Sequence, residues 1–579
     1  MRFAIALVTL LIAGALVAAG VAQRTVLKPE DHVTAVADVP SDVHYVVVPG
    51  SVLRSHQGQQ NLHLGGSDAV FAGYGRSSDV TAWLSGQRYA ELRTDASGAM
   101  TKPVVRTAPV IGQLEGGTPD PSGADLWIDQ KTGERSLDWS VDVPKSMSVI
   151  IASTGADAAP SDVRLTWPVR TATPFAVPLI VAGGALAVLG LLLYLWALVH
   201  VRRQRGPRRK SPPKMPKRPQ PPKYRPQRPA SAAPVPGRGR RSVRQRVAVV
   251  GSGAAAVLLA GLLAPTSGAA VAATPTPTAS LTEEQATRIL FAAADTAAAA
   301  DKAGSAKQLG DRFTGAALDL RKAFYTIEKK DSKAAAPATI PTRAKGAVVK
   351  LLEPEATTSW PRTLFATVQQ GESTKVAPVS VALVQNDPRS NYKVQFAMRL
   401  ISNAKTPDLP SAVDGAHRLD PSAPVLTVEP GQLATAYGAV LNDSGASTAK
   451  LFRTQGDPLL QEVGESAKKK IAKKLGSTAG ITFKDLPVDP NSVIAMSTAD
   501  PGALVAVQLD EQWTVKPKRS GVTVKPSGGT KILSKTSSTS KGIVSVYGYQ
   551  LLFSVPSAGS EEPIVLLGYD QGLVSAKEL

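Results

Sequence analysis

The sequence predicts a membrane protein with three transmembrane helices, an all-β sandwich between the first two, and two α+β cone-like domains after the third. Three observations carry this expectation. The chain holds three long uncharged apolar runs. Seven short runs rich in β-branched and aromatic residues lie ahead of the second. After the third, a helices-then-strands order occurs twice. At 579 residues the chain has room for several cores.

Residues 3–22 (FAIALVTLLIAGALVAAGVA) carry no charge over a length that at 1.5 Å per residue is about 30 Å, the depth of a bilayer core. The segment spans the membrane or acts as a signal anchor, so 1–22 is the first expected span. Residues 175–201 form the second, with Tyr194 and Trp196 near one end and Arg202, Arg203 and Arg205 directly after it. Aromatic rings suit the headgroup level and dense positive charge belongs on the cytoplasmic side, so this span runs outside to inside. The third run, 247–273, follows Arg240, Arg241, Arg244 and Arg246 and ends in TSGAAVAA. That is a basic stretch, an apolar stretch and an A-x-A pattern at Ala270 and Ala272, a possible signal-peptidase site. The short TPTPTAS linker that follows suits a domain held at the membrane, so retention as a span is expected. The implied topology is a multi-pass protein of the cell membrane, with its N-terminus cytoplasmic and its C-terminus extracytoplasmic.

Between these spans the charge is uneven. Residues 202–246 hold seventeen Lys and Arg and no Asp or Glu, whereas residues 23–174 hold thirteen basic and seventeen acidic side chains. The loop is so rich in proline that helix and sheet are both disfavoured, leaving extended, disordered chain. Arg202, Arg203, Arg205, Arg208, Arg209 and Lys210 are therefore expected to contact the surface of anionic membrane lipids, each contributing at most about 1 kcal/mol. No specific nucleic acid is expected as a partner, because Tyr224 is the loop's one aromatic residue and stacking platforms need several. Gly251, Gly253 and Ala256 imitate a dinucleotide-binding turn, but the first acidic residue after them is Glu283, too distant for a ribose contact.

The first outer region, 23–174, is expected to be an antiparallel sandwich. Its strands are read at 44–48, 69–74, 79–84, 124–128, 136–141, 147–153 and 163–167, with DQKTGER as a hairpin turn. Trp83, Trp127, Trp139 and Trp167 read as core. His56 and His63 are seven apart with no Glu between them, which a surface loop explains better than a zinc site. In the second outer region, Thr282-Glu-Glu-Gln285 reads as a capping box opening a helix, with a second helix over 306–329 and strands at 363–368, 379–384 and 392–401. The order returns with a helix at 459–475 and strands at 492–496, 503–514, 544–553 and 563–567, so domains at 274–425 and 426–579 are expected.

TAWLSGQRY after FAGYGRSSDV, the Arg- and Pro-rich loop between spans, LTEEQATRIL, GAALDLRKAFY and VLLGYDQGLVSA together resemble uncharacterised multi-pass membrane proteins of actinobacteria. The second outer region also resembles the nuclear transport factor 2-like (cystatin-like) cone. That resemblance implies a scaffold which hosts enzymes, binders and structural modules alike.

Cysteine is absent, which excludes disulfides, thiolate metal sites, a cysteine nucleophile and a lipidated cysteine. Asp510 and Glu511 are adjacent on an expected strand and so face opposite ways, unable to embrace one bond together. His417 sits in a proline-rich linker. No G-x-S-x-G, H-E-x-x-H or phosphate-binding loop occurs. No catalytic, cofactor or metal residue is assigned. The expected function is cell-envelope binding or scaffolding, with an envelope protein or glycan as partner and no catalysis. The alternative is an enzyme or enzyme accessory acting on a cell-wall or lipid-linked glycan. A signal transducer is disfavoured, since the cytoplasmic part carries no folded domain.

Overall fold

The computed structural model describes residues 2–204 and 279–579, apart from 28–29, 113, 115, 155–156, 169–173, 373–374, 403 and 412. The expected third span, its Ala270 and Ala272, and Arg205, Arg208, Arg209 and Lys210 lie outside the described residues. In chain order the first part holds helix α1 (Arg2–Arg24), strands β1 (His32–Asp38) and β2 (Tyr45–Pro49), and short helix α2 (Gly50–Leu53). Strand β3 (Gln60–Arg76), helix α3 (Ser77–Trp83), and strands β4 (Arg88–Thr94), β5 (Met100–Thr107), β6 (Asp129–Val141), β7 (Met147–Ser153) and β8 (Asp162–Pro168) follow, then helix α4 (Ala176–Gln204).

Helices α1 and α4 form one unit and the remaining elements the other. Both helices are long and apolar enough to cross a membrane. They pack antiparallel along a seam of small residues repeated every seventh position: Ala6, Ala13 and Gly20 on α1, and Ala176, Gly183, Gly190 and Ala197 on α4. A Cβ placed at Gly183 would lie 2.9 Å from the Ala13 carbonyl oxygen and from the Val17 nitrogen, so the two backbones touch. Period seven keeps a straight seam between two helices, and small residues allow this approach where no hydrophobic force drives helices together. The large side chains point the other way, with Leu11 65% exposed and Val181 64%.

In the region between them the strands join one sheet, ordered β1-β8-β3-β7-β2-β4-β5 with β6 also on β3, and β2 with β4 is a parallel pair. This corrects the expectation of a two-sheet antiparallel sandwich. The long strand β3 pairs with β8 through its first residues and with β7 through its last. Its pairing with β6 shifts register between Gly65 and Ala69, where Gly66 takes φ +84°. Both faces of the sheet are buried. Val46, Val48, Leu62, Trp139 and Trp167 fill one core, while Tyr45, Val47, Phe71, Trp83 and Trp127 fill the other, so the four tryptophans are core residues as expected.

Four local expectations fail here, one being the strand read at 124–128, which is a loop. Residues 79–84 lie largely in α3 rather than a strand, despite β-branched Val80 and Thr81, because this turn is fixed by packing of Val80 and Trp83. DQKTGER is no hairpin turn but the first half of β6, held extended by pairing along β3. His63 is a strand residue of β3 bonded to Asp138 (2.7 Å), not part of a loop.

The second part opens with α5 (Glu283–Ala303) and α6 (Gly315–Glu328), then β9 (Ala347–Pro354), β10 (Arg362–Gln370), β11 (Val379–Gln385) and β12 (Lys393–Leu400). It continues with α7 (Leu433–Asn442), α8 (Pro458–Val463), α9 (Glu465–Leu475), β13 (Ala479–Leu486), β14 (Ile494–Ser497) and β15 (Gly502–Pro517). Helix α10 (Gly528–Ser534) and strands β16 (Ile543–Pro556) and β17 (Val565–Glu578) complete it. The capping box at Thr282 and Gln285 forms in full, and Gly304 closes α5 in the left-handed conformation. The helix expected over 306–329 begins only at Gly315, and the one expected over 459–475 breaks at Gly464.

The strands of both halves share one nine-stranded sheet, ordered β13-β15-β16-β17-β12-β11-β10-β9, with β14 on β15. The halves meet through two residue pairs, Arg399 with Tyr569 and Leu400 with Gly568. Strand alternation then builds three cores. Leu364, Ala366, Val381 and Leu383 face α5. Val505, Val507, Leu551 and Phe553 pack with Tyr437 of α7 and Leu459 of α8. The opposite faces, Phe365, Phe396 and Met398 from one half and Met496, Leu504 and Leu552 from the other, pack on each other.

Candidate functional site

Three places concentrate polar groups that local sequence does not explain. The first joins the region of β1–β8 to that of α5–β17. Arg362 at the start of β10 is 1% exposed and grips Asp79 of α3, 4% exposed, with two parallel bonds of 2.7 and 3.1 Å. Its guanidinium also stacks on the Trp360 ring at 3.8 Å. Arg389 donates to the carbonyls of Trp83 (2.9 Å) and Ser85 (2.6 Å), and burial lowers its pKa. Asp125 pairs with Arg312 and accepts from the Tyr392 backbone N–H at 2.8 Å.

Residues 124–128, expected as a strand, are instead a loop, and this corrects the reading. Their carbonyls are spent on the other region: Leu126 accepts from Gln285 (3.0 Å) and Ile128 from Arg288 (2.9 Å). LTEEQATRIL thus caps its own helix and also docks on the carbonyls of residues 125–128, while TAWLSG supplies the carbonyls that Arg389 meets.

The second place lies between the halves of the C-terminal sheet. Glu353 of β9 is 1% exposed, on the face shared with Phe365, and one of its carboxylate oxygens has no hydrogen-bond partner. Burial pushes its pKa up from 4.5 to about 8. The folded protein therefore keeps this proton between those pH values while the unfolded chain releases it. Stability falls as pH rises across that window, by about 1.4 kcal/mol per pH unit at most. Glu353→Gln removes the titration. In urea unfolding its advantage over the native chain should be near zero at pH 4 and grow to a few kcal/mol by pH 8; parallel pH profiles would contradict this.

The third place is the ribbon of β15, β16 and β17. Lys468 of α9 forms a buried pair with Glu511 and bonds Asn442 Oδ1 at 2.6 Å. Glu511 also accepts from the Trp513 indole N–H at 2.6 Å. Asp510, on the opposite face as expected, is held by Gln508 through two bonds of 3.0 Å, and burial raises its pKa. Beside this ribbon lies a cavity of about 570 Å³, walled by Phe324 and Ile327 of α6, Trp513, Tyr547 and Leu573. GAALDLRKAFY and VLLGYDQGLVSA supply much of its wall.

Of the residues expected at the membrane surface, Arg202 and Arg203 occupy the last turn of α4 and are exposed. His417 is exposed, its backbone N–H bonded to Ser497. Among the described residues no group of three or more His, Asp or Glu side chains could hold a metal ion. Sequence reading missed Asp79, Arg362, Glu353 and Trp513 as site residues; Asp79 lies in FAGYGRSSDV and the other three in no motif that the sequence singles out.

No curated protein and no solved structure matches the chain. The family model described as Domain of unknown function (DUF8094) matches residues 277–578, which takes in every element from α5 to β17. Since that match covers more than half of the chain, the protein belongs to the DUF8094 family.

Proposed function

We propose that this chain is a three-span membrane protein of the cell envelope whose two outer regions form one extracytoplasmic binding or scaffolding body. The observation that carries the reading is the buried Arg362–Asp79 pair between residues separated by both α4 and the basic loop. Regions that share a buried ion pair lie on the same side of a membrane. If α1 and α4 both cross, the chain has to return between 204 and 279, and 247–273 is the apolar run available for it. The seam of α1 on α4 supports retention of α1 as an anchor rather than its loss as a leader, because Gly183 and Gly190 would otherwise face nothing. On the inner side, Arg202, Arg203, Arg205, Arg208, Arg209 and Lys210 contact anionic lipids. Ala270 and Ala272 are the place where a signal peptidase would cut. The two halves of the C-terminal sheet are the cone-like modules, and the partner is an envelope protein or a glycan.

The native absence of cysteine makes the topology directly testable. With an impermeant thiol reagent on intact cells, cysteines placed at the exposed Ser122 and Ser466 should both react, and one at Ser211 should not. Labelling at 211, or at 122 without 466, would overturn the topology. Crosslinked membranes should return one defined envelope partner; recovery of abundant bystanders alone would count against scaffolding.

A further inference from the structure

We propose that the cavity beside β15, β16 and β17 binds a neutral pyranose ring of an envelope glycan; this deepens the scaffolding reading and rests on it. Trp513 and Tyr547 stand side by side on neighbouring strands, ring centroids 4.3 Å apart and planes at 39°. Both are half-buried and line the cavity. The indole is fixed before any ligand arrives. Its N–H is spent on Glu511, which is itself held by Lys468, and Phe483 meets its ring edge-on at 5.1 Å. A fixed aromatic face binds a flat C–H surface with little entropy lost.

Besides the tyrosines Tyr547 and Tyr549, the polar residues at the cavity are Asp331, Ser527, Thr530 and Gln571, the last oriented by Glu462 at 2.9 Å. One carboxylate, two hydroxyls and an amide are the donors and acceptors that a ring of hydroxyl groups needs. No Lys or Arg is among the lining residues, so nothing there answers the charge of a phosphate or an anionic headgroup. Four polar groups beside the aromatic pair also set it apart from a site for an acyl chain. The volume lies within the range of about 300–1,000 Å³ common to small-molecule sites.

Saturation-transfer NMR on the full chain in nanodiscs tests this, with maltose, cellobiose, galactobiose and N,N′-diacetylchitobiose as probes and sodium laurate as the apolar control. At least one disaccharide should receive saturation at its ring protons. Trp513→Ala should weaken that binding about tenfold, the loss of one aromatic platform. Since that variant also removes a partner of Glu511, Ser527→Trp serves as the second. Ser527 is exposed, its side chain caps nothing and it lines the cavity, so a bulky ring there takes up the space of a ligand. It should abolish the signal with an unchanged melting temperature. Absence of transfer to every disaccharide, transfer to laurate alone, or a signal that survives Ser527→Trp would overturn the proposal. Any of these beside the expected topology and a captured partner would leave the scaffolding reading standing, so the two failures are distinguishable.

Discussion

Replacing Arg362 with Ala should destabilise the body formed by β1–β8 and α5–β17 by about 3–5 kcal/mol, the penalty for leaving one charge of a buried pair without its partner. Asp79 is 4% exposed, and its carboxylate is met by the two guanidinium nitrogens that the substitution removes. Trp360 loses its stacked cation as well. The double variant Asp79→Leu/Arg362→Met removes both charges at once and should cost far less, because apolar groups of similar size replace a buried pair at small net cost. Urea unfolding followed by tryptophan fluorescence reads both. If Arg362→Ala falls no further than the double variant, the pair does not join the regions. A protease site inserted after residue 273 gives a second measure. The pieces should stay together after cleavage of the native chain, held by the contacts of Asp79, Asp125, Gln285 and Arg389, and come apart at a lower urea concentration in Arg362→Ala, which keeps the last three of these. A cut at Ala270 and Ala272 would then leave the C-terminal half bound to the membrane half instead of freeing it.

Gly183→Leu should separate α1 from α4, while Gly184→Leu should not. A Cβ at 183 meets backbone atoms of Ala13 and Val17 at 2.9 Å, and backbone atoms cannot rotate away; at 184 it meets nothing within 4 Å. Overpacking of this kind costs about 1–3 kcal/mol, enough to lower the population of the close pair about tenfold or more. Cysteines at Phe3 and Tyr194, whose rings lie 5.6 Å apart, report it through a short permeant bis-maleimide. Crosslinking should persist in Gly184→Leu and collapse in Gly183→Leu. Equal yields in the two would show that the small-residue seam does not hold the helices.

The features legible in the residues are those whose cause is local. Helices α1 and α4 follow from unbroken apolar runs, and the start of α5 follows from a capping box whose two bonds span three residues. Strands such as Val379–Gln385 announce themselves by β-branched residues between turn residues. The seven-residue spacing of Ala6, Ala13 and Gly20 is also present in the chain, but small residues are so frequent there that the pattern gains meaning only beside its partner on α4.

The rest was decided by contacts between distant residues. Val80 and Thr81 favour a strand by propensity, yet burial of Asp79 against a guanidinium 283 positions away and packing of Trp83 make that turn helical. DQKTGER carries turn chemistry, yet β3 offers a full ladder and the ladder prevails. Residues 124–128 read as a strand, but their carbonyls find donors on α5. Sequence alone therefore determined the apolar helices α1 and α4, the capped helix, the tryptophan cores and the helices-then-strands order of each C-terminal half. Only the tertiary structure decided that the halves share one sheet, that β1–β8 and α5–β17 form one body, and that Trp513 and Tyr547 meet side by side at a cavity. An ion pair, a strand register or a cavity wall joins residues far apart in the chain, and neither side carries a mark of the other.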